Sequence, residues 1–235
     1  MRYQGGKSRI AKNIAGIINS YAGAGGRTPF VSLFCGSCAV ESKIRGFSPV
    51  ICNDKHAYLI SLLRGMQAGY DLPDYISEEL YRYLRDNKDL DPVLAGFAGF
   101  GCSFGGKWFA GYARTSAGTN FAAQSKKSLL KDMAALQGAW FTNADYRKLS
   151  IPQGAVIYAD PPYDGTTGYQ HEHFDSAEFW QYARLLAQTG HLIFISEETA
   201  PRDFVSVWQK PFTRTLDVNK DNQFRATENL FVYGG

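Results

Sequence analysis

The chain has 235 residues, of which 45% are hydrophobic and 20% charged, and its formal net charge is +3. These values are typical of a globular protein rather than a disordered one. No apolar run approaches the roughly 18 residues needed to cross a bilayer, and the first seven residues lack the apolar core of a signal peptide. We therefore expect a cytosolic protein with one good core and room for an inserted subdomain.

The first predicted element is a helix that follows a basic, glycine-rich segment, residues 2–8. Ile10, Ile14, Ile17 and Ile18 share one face of this helix. Two glycines, a lysine and a serine before a helix can form an anion site, because free backbone amides and the helix dipole point at the loop. The spacing of a P-loop is missing, and a flexible terminus with an ordinary helix start is the alternative.

Residues 29–34 form an apolar run that predicts a strand, which breaks at a turn of small residues, 35–38, before a predicted helix over 39–45. A second strand, 50–52, ends at Asn53 and Asp54. A glycine turn lets the backbone approach a nucleotide, and an acid about 20 residues later can accept hydrogen bonds from ribose hydroxyls. Alternatively, Gly36 only permits a tight turn and Asp54 caps the next helix.

The four cysteines are too few and too irregularly spaced for a disulfide scaffold. Cys35 and Cys38 form a CxxC pair, but no second pair follows, so a zinc or redox role is disfavoured.

Helices are predicted over 57–66 and 78–84, and the character of the chain changes after them. The segment 92–131 contains no Asp or Glu, carries five positive charges and interleaves glycines with aromatic residues. Basic side chains neutralise phosphates, and aromatic rings stack on bases or wedge between them. The segment therefore predicts a nucleic-acid face, and the alternative is a loop-rich extension of the core with buried aromatics. The candidate contacts are Lys107, Trp108, Arg114, Lys126 and Lys127.

A helix over 128–136 and a strand over 140–142 follow, and the strand leads to the carboxylate and ring of Asp145 and Tyr146. The apolar run 155–159 is typical of a buried parallel strand, and it stops at Asp160-Pro161-Pro162-Tyr163 because two prolines cannot continue a ladder. Ligands of open α/β sheets bind beyond the carboxyl ends of the strands. A carboxylate, a carbonyl and an aromatic face are thus presented together, as a clamp for a flat substrate that bears an amino group.

The remaining chain predicts a loop at 164–168, a helix over 177–189 and a buried strand over 191–195. His171 and His173 lack an evident third metal ligand, so we interpret them as solvated loop residues. The runs 213–218 and 228–233 flank a polar turn and predict a terminal hairpin. The fold class is therefore α/β, with a mostly parallel sheet and an antiparallel edge.

Five elements, in this order, resemble the Dam-type (D12 class) adenine-N6 DNA methyltransferases that are common in phages and restriction systems. The resemblance covers nearly the whole chain. Residues 2–7 are similar to the amino-terminal cofactor motif of this family, 34–37 to its FxGxG loop, 53–54 to its ribose-binding acid, 143–146 to the element that holds the cofactor adenine, and 160–163 to the catalytic DPPY. Cys38 stands where the second glycine of the FxGxG loop is usual.

The resemblance implies a Rossmann-like methyltransferase sheet and S-adenosylmethionine as the methyl donor, without a metal. It divides the chain into a catalytic domain, 1–66 with 128–235, and an inserted target-recognition subdomain, 67–127. It implies catalytic roles for Asp160, Pro161, Pro162 and Tyr163. The implied cofactor contacts are Tyr3, Lys7, Phe34, Gly36, Ser37, Asp54, Asp145, Tyr146 and Asp160.

The implied reaction is methylation of N6 of an adenine flipped out of double-stranded DNA. An aspartate at the first position of the DPPY element is what the family uses for adenine. The expected setting is the cytoplasm of a bacterium or of a phage-infected host, with a monomer favoured and a cognate restriction endonuclease as an optional partner. Two alternatives remain open: a methyltransferase acting on RNA or on a protein amide, and a DNA-binding protein that keeps the fold without turnover.

Overall fold

A computed structural model of the protein describes residues 1–23, 25, 27–162, 174–215 and 223–235. Its centre is a sheet of seven strands in the order β3-β2-β1-β4-β5-β7-β6. The pairs among β1 to β5 are parallel, while β7 runs antiparallel between β5 and β6. The strands are β1 (Phe30–Ser32), β2 (Val50–Asn53), β3 (Trp140–Thr142), β4 (Val156–Ala159), β5 (Leu192–Glu197), β6 (Phe204–Thr215) and β7 (Gln223–Tyr233).

Helices cover both faces of this sheet. They are α1 (Ala11–Asn19), α2 (Ala57–Gln67), α3 (Glu78–Asp86), α4 (Pro92–Gly96), α5 (Phe121–Met133) and α6 (Ser176–Gln188). Successive residues of a strand point to opposite faces, and the core follows that alternation. Phe30 and Tyr158 pack with α1, whereas Val31 and Ile157 pack with α6. The predicted α/β fold with a mostly parallel, Rossmann-like sheet and an antiparallel carboxyl-terminal pair is confirmed.

The strand predictions hold with extended boundaries at the end of the chain. β6 and β7 are longer than the predicted runs, and β6 overlaps its run only at 213–215. The rest of that run, 216–218, and the predicted turn at 219–222 lie outside the described residues. Pro211 falls within β6. Proline is tolerated there because β6 is an edge strand, whose outer amides have no partner in the sheet.

Two helix predictions are corrected. The segment predicted as a helix over 39–45 forms only a 3-10 turn, Glu41–Lys43, because Ile44 is already extended. The helix predicted over 128–136 begins seven residues earlier, as α5, and ends at Met133. Its amino terminus is fixed by Asn120, whose side chain accepts a hydrogen bond from the Ala123 amide at 3.0 Å. Asparagine is among the preferred residues at this position.

Residues of the segment 67–127 share a hydrophobic cluster with α2, α5 and β3. Phe97 and Phe100 are buried in this cluster, as the core alternative for the aromatics expects, whereas Phe104 is 69% exposed. The division of the chain into a catalytic domain and an inserted recognition subdomain stays a prediction.

Candidate active site at the carboxyl edge of the sheet

The candidate site lies where the parallel strands end. Asp54 follows β2, Asp145 follows β3 and Asp160 follows β4, and the glycine turn at 35–38 follows β1. Asn53 ties three of these ends together, since its Nδ2 donates to the carbonyls of Leu33 and Ala144, each at 3.0 Å. These bonds hold together the loops after β1, β2 and β3, and the loop after β4 lies next to them because β4 pairs with β1.

The amino-terminal loop packs against the glycine turn through Tyr3. Gly36 has a φ of +50°, and a side chain there would place its Cβ 2.9 Å from a ring carbon of Tyr3. Tyr3 in turn packs against Phe100, with ring centroids 5.1 Å apart. Gly36 therefore meets both a conformational and a steric demand for glycine, and the predicted cofactor residues Tyr3 and Gly36 lie in contact.

Cys38 has a φ of +58° and is fully buried. The left-handed region strongly favours glycine, and another residue there costs about 1 kcal/mol or more. The one position that departs from the family pattern thus keeps the backbone conformation that a glycine would adopt. The described structure leaves all four cysteines as free, buried thiols. Burial raises the pKa of Cys35 to about 12, so this thiol is inert at neutral pH.

Asp54 is buried and accepts two backbone hydrogen bonds. Its Oδ2 accepts from the Gly36 amide at 3.0 Å, and its Oδ1 accepts from the His56 amide at 2.9 Å. Burial raises its pKa to about 6, although both hydrogen bonds oppose the shift. Each oxygen keeps a second lone pair, so the bonds are compatible with further acceptance from a ribose. The cap of α2 is His56, whose Nδ1 accepts from the Leu59 amide.

Asp145 and Tyr146 lie on the strand end next to Asp54, and they have different partners. Asp145 accepts hydrogen bonds from the guanidinium of Arg147, and this contact lowers the pKa of Asp145 to about 2. Tyr146 is buried and packs against Phe34, with ring centroids 5.1 Å apart. Phe34 and Tyr146 therefore form an aromatic wall next to the glycine turn, where Ser37 is also buried.

These residues fit a nucleotide-like cofactor. A turn with no side chain at Gly36, two carboxylates at adjacent strand ends and an aromatic wall have the chemistry that binds a ribose and a purine. The structure brings the predicted Tyr3, Gly36, Ser37, Phe34, Tyr146 and Asp54 to one edge of the sheet. Their contacts with a cofactor stay a prediction.

Asp160 faces a buried cation that sequence analysis assigned to the cofactor. Lys7 Nζ lies 2.8 Å from Asp160 Oδ1 and 3.4 Å from Glu228 Oε1. Burial raises the pKa of Asp160, and the charge and hydrogen bond of Lys7 oppose that rise. Pro161 is buried and Pro162 is half-buried beside it, whereas Tyr163 lies outside the described residues.

Three further carboxylates surround this ion pair, and sequence analysis missed them. Glu228 comes from β7 and is buried, and Glu197 ends β5. Glu41 is buried in the turn after the glycine loop and accepts a hydrogen bond from Ser32 Oγ at 2.6 Å. Burial raises the pKa of Glu41 and of Glu197 to about 7. The sequence did offer one signal for such a buried carboxylate, because Glu228 is a charged residue in a predicted apolar strand.

The predicted DNA contacts have unequal surroundings. Lys107 and Lys127 are exposed. Lys126 pairs with Asp71 at 3.3 Å and Asp74 at 3.1 Å, and Arg114 pairs with Glu78. The positive charge of the segment 92–131 is thus partly neutralised by acidic side chains from the segment before it.

Trp108 is half-buried among other rings. Its centroid lies 4.3 Å from that of His56 and 5.3 Å from that of Tyr58, the latter ring stacked on it. It therefore belongs to the local core as well as to the surface. The exposed aromatic of this region is Phe104, which was not among the predicted contacts.

Among the described residues, no group of three or more His, Cys, Asp or Glu side chains is arranged to hold a metal ion. His171 and His173 lie outside them. No helix in the described ranges is long and apolar enough to span a membrane.

The chain is similar to several solved structures at low sequence identity. One is the rRNA methyltransferase aviRa from Streptomyces viridochromogenes, with 15% identity, coverage of 99% of this chain and 86% of that one, and a TM-score of 0.45. Another is HI0767 from Haemophilus influenzae, assigned as a methylase, with 14% identity, coverage of 96% and 88%, and a TM-score of 0.39. A third is SMU.472, assigned as a methyltransferase and complexed with SAH, with 12% identity, coverage of 98% and 54%, and a TM-score of 0.36.

The strand order identifies the fold without these similarities. No curated protein matches the chain. A family model does: that of the D12 class N6 adenine-specific DNA methyltransferases matches residues 3–92, which include the amino-terminal loop, the glycine turn and Asp54. The resemblance of the sequence to the D12 class of N6 adenine-specific DNA methyltransferases is therefore confirmed over residues 3–92, and it supports assignment of the chain as a methyltransferase.

Proposed function

We propose that the protein transfers a methyl group from S-adenosylmethionine to N6 of an adenine flipped out of double-stranded DNA. The observation that carries the proposal is the position of Asp160 and Pro161 at the end of β4, next to the glycine turn and Asp54 on the neighbouring strand ends. Support for the base and for DNA comes from the family match over residues 3–92, which includes the amino-terminal loop, the glycine turn and Asp54.

The chemical difficulty lies in the adenine amino group, whose lone pair is delocalised into the ring. Asp160 and the carbonyl of Pro161 each accept a hydrogen bond from this group in the proposal. The two bonds draw the nitrogen towards a tetrahedral geometry, with its lone pair directed at the methyl group. The bound cofactor supplies that methyl as an electrophile.

The protein contributes position and electrostatics. The prolines have no amide hydrogen and a fixed φ, so they stiffen the backbone after Asp160 and cannot continue the ladder. The carbonyl of Pro161 therefore lies beyond β4, which ends at Ala159. A preorganised acceptor in a half-buried site is worth more than one in water. Tyr163 would stack on the extruded base, and extrusion costs a few kcal/mol.

Purified protein, labelled S-adenosylmethionine and unmethylated DNA should yield N6-methyladenine. Asp160→Ala should lower the rate at least about 100-fold. Cofactor binding, measured by calorimetry, should be weakened but not abolished by that substitution, because Asp54 and the glycine turn remain when the implied contact of Asp160 is lost.

Asp203→Asn is a matched control at the opposite edge of the sheet, since β6 begins beside the amino end of β5. It should keep most of the activity. Competition of the DNA with RNA in the same assay separates the two nucleic acids. Absence of product on every DNA tested, with the cofactor bound, would refute the proposal.

A further inference from the structure

Lys7 carries a buried ammonium group that forms ion pairs with two carboxylates inside the protein. Its side chain is 6% exposed, and those of its partners Asp160 and Glu228 are 19% and 5% exposed. A buried cation of this kind is stable only when it is paired. The contact with Asp160 at 2.8 Å has the length of a charge-assisted hydrogen bond.

The two carboxylate oxygens of Asp160 have different surroundings. Lys7 takes Oδ1, while within the described ranges no hydrogen bond is made to Oδ2. Lys7 therefore holds one oxygen, and as far as residues 1–162 and the later described ranges go, the other can accept a hydrogen bond from a ligand. The side chain cannot rotate without losing its buried partner.

The charged surroundings of Asp160 are otherwise acidic or neutral. Glu41, Glu197 and Glu228 face it from the turn after β1, from β5 and from β7, and Tyr158 lies below it on β4. Each of these carboxylates, when ionised, disfavours ionisation of Asp160, as does burial. Lys7 is the cation that the described residues place against this group.

We propose that Lys7, anchored by Glu228, is a positioning residue that keeps Asp160 ionised and oriented, so that Oδ2 accepts the hydrogen bond of the substrate amino group. This inference rests on the proposed function. It gives Lys7 a role in the chemistry of the substrate rather than in binding of the cofactor. It also gives Glu228 a role that the motif sequences do not show.

The first test needs no turnover. The Asp160 carboxyl is titrated by NMR of protein labelled with ¹³C-aspartate, with its signal assigned through Asp160→Asn. Removal of an opposite charge at this distance shifts a carboxyl pKa by about 1 to 3 pH units. Lys7→Met should raise the pKa of Asp160 by at least about 1 unit, and Lys7→Arg should keep it near the wild-type value.

The second test uses kinetics. Lys7→Met should lower kcat about 10-fold or more at pH 7 and change KM for S-adenosylmethionine by less than about 3-fold, since a position effect on one transition-state contact appears in kcat. The lost rate should return in part as the pH is raised, because Asp160 then ionises without help. Glu228→Gln keeps an acceptor for Lys7 but removes its second carboxylate, so it should lower kcat in the same direction and by less than Lys7→Met. Asp203→Asn, at the opposite edge of the sheet, is the control and should stay within about 3-fold of the wild type.

The outcomes separate this inference from the proposed function. Methylation by the wild-type protein decides the function, and the NMR titration decides the role of Lys7 whether or not methylation is seen. If Lys7→Met unfolds the protein, Lys7→Met with Glu228→Gln removes one stranded buried charge and takes its place in both tests. An unchanged pKa of Asp160, or a raised KM for the cofactor with kcat intact, overturns the inference.

Discussion

Gly106 couples the segment 92–131 to the amino-terminal loop that carries Lys7. Its φ is +69°, and a Cβ there would lie 2.6 Å from the Tyr3 backbone nitrogen and 2.8 Å from the Arg2 carbonyl carbon. The carbonyl of Gly106 also accepts a hydrogen bond from the Gln4 amide at 3.1 Å. Gly105, its neighbour, has a φ of +63° with nothing within 4 Å of its Cβ position.

This pair of glycines gives a controlled experiment. Gly105→Ala should cost only the left-handed conformation, about 1 to 2 kcal/mol of unfolding free energy. Gly106→Ala should cost the same, together with the loss of the Gln4 hydrogen bond, worth about 1 kcal/mol, and displacement of two backbone segments. We expect a total of about 2 to 4 kcal/mol for Gly106→Ala.

Urea unfolding of both variants measures the difference, with equal m values as the sign that the same two-state transition is observed. Methylation should fall more in Gly106→Ala than in Gly105→Ala, because the loop that holds Lys7 must move. Equal unfolding free energies and equal rates for the two variants would refute the coupling.

Two further predictions concern charge. Glu41 has its pKa raised from 4.5 to about 7 by burial, so between these pH values the folded state holds a proton that the unfolded state has lost, and stability falls as pH rises. Glu41→Gln should flatten the decrease in unfolding free energy between pH 5 and pH 7, by of order 1 to 3 kcal/mol, and an unchanged slope would contradict this interpretation. Lys127→Ala should reduce the slope of log affinity for DNA against log salt by about 0.9, because an exposed lysine releases one counterion. Lys126→Ala should reduce this salt slope less, since Asp71 and Asp74 already neutralise Lys126. Equal salt slopes for the two variants would contradict a difference between Lys126 and Lys127.

The sheet and the edge that carries the site were predictable because their signals are local. The runs 29–34 and 155–159 are short and mostly apolar, and each is followed by residues that disfavour an extended strand. A parallel arrangement then brings Asp54 and Asp160 to one edge without further information.

The partners of these residues were not predictable in the same way. Glu228 reaches Lys7 only because β7 inserts between β5 and β6, and strand order is not a local property. Lys126 was predicted to contact DNA, but it forms ion pairs with acids that lie more than 50 residues earlier in the chain. The glycine-like φ of Cys38 follows from the turn, whereas the residue type alone predicts the opposite.

The meeting of Lys7, Asp160 and Glu228 also bears on how the protein is made. A chain emerging from the ribosome presents Lys7 first, Asp160 more than 150 residues later and Glu228 after a further 68 residues. Until β7 is released, β5 has an open edge and the ammonium of Lys7 lacks its second carboxylate. The candidate site is therefore completed only after β7 has been synthesised, and a nascent chain arrested before β7 would hold Lys7 and Asp160 without the carboxylate of Glu228.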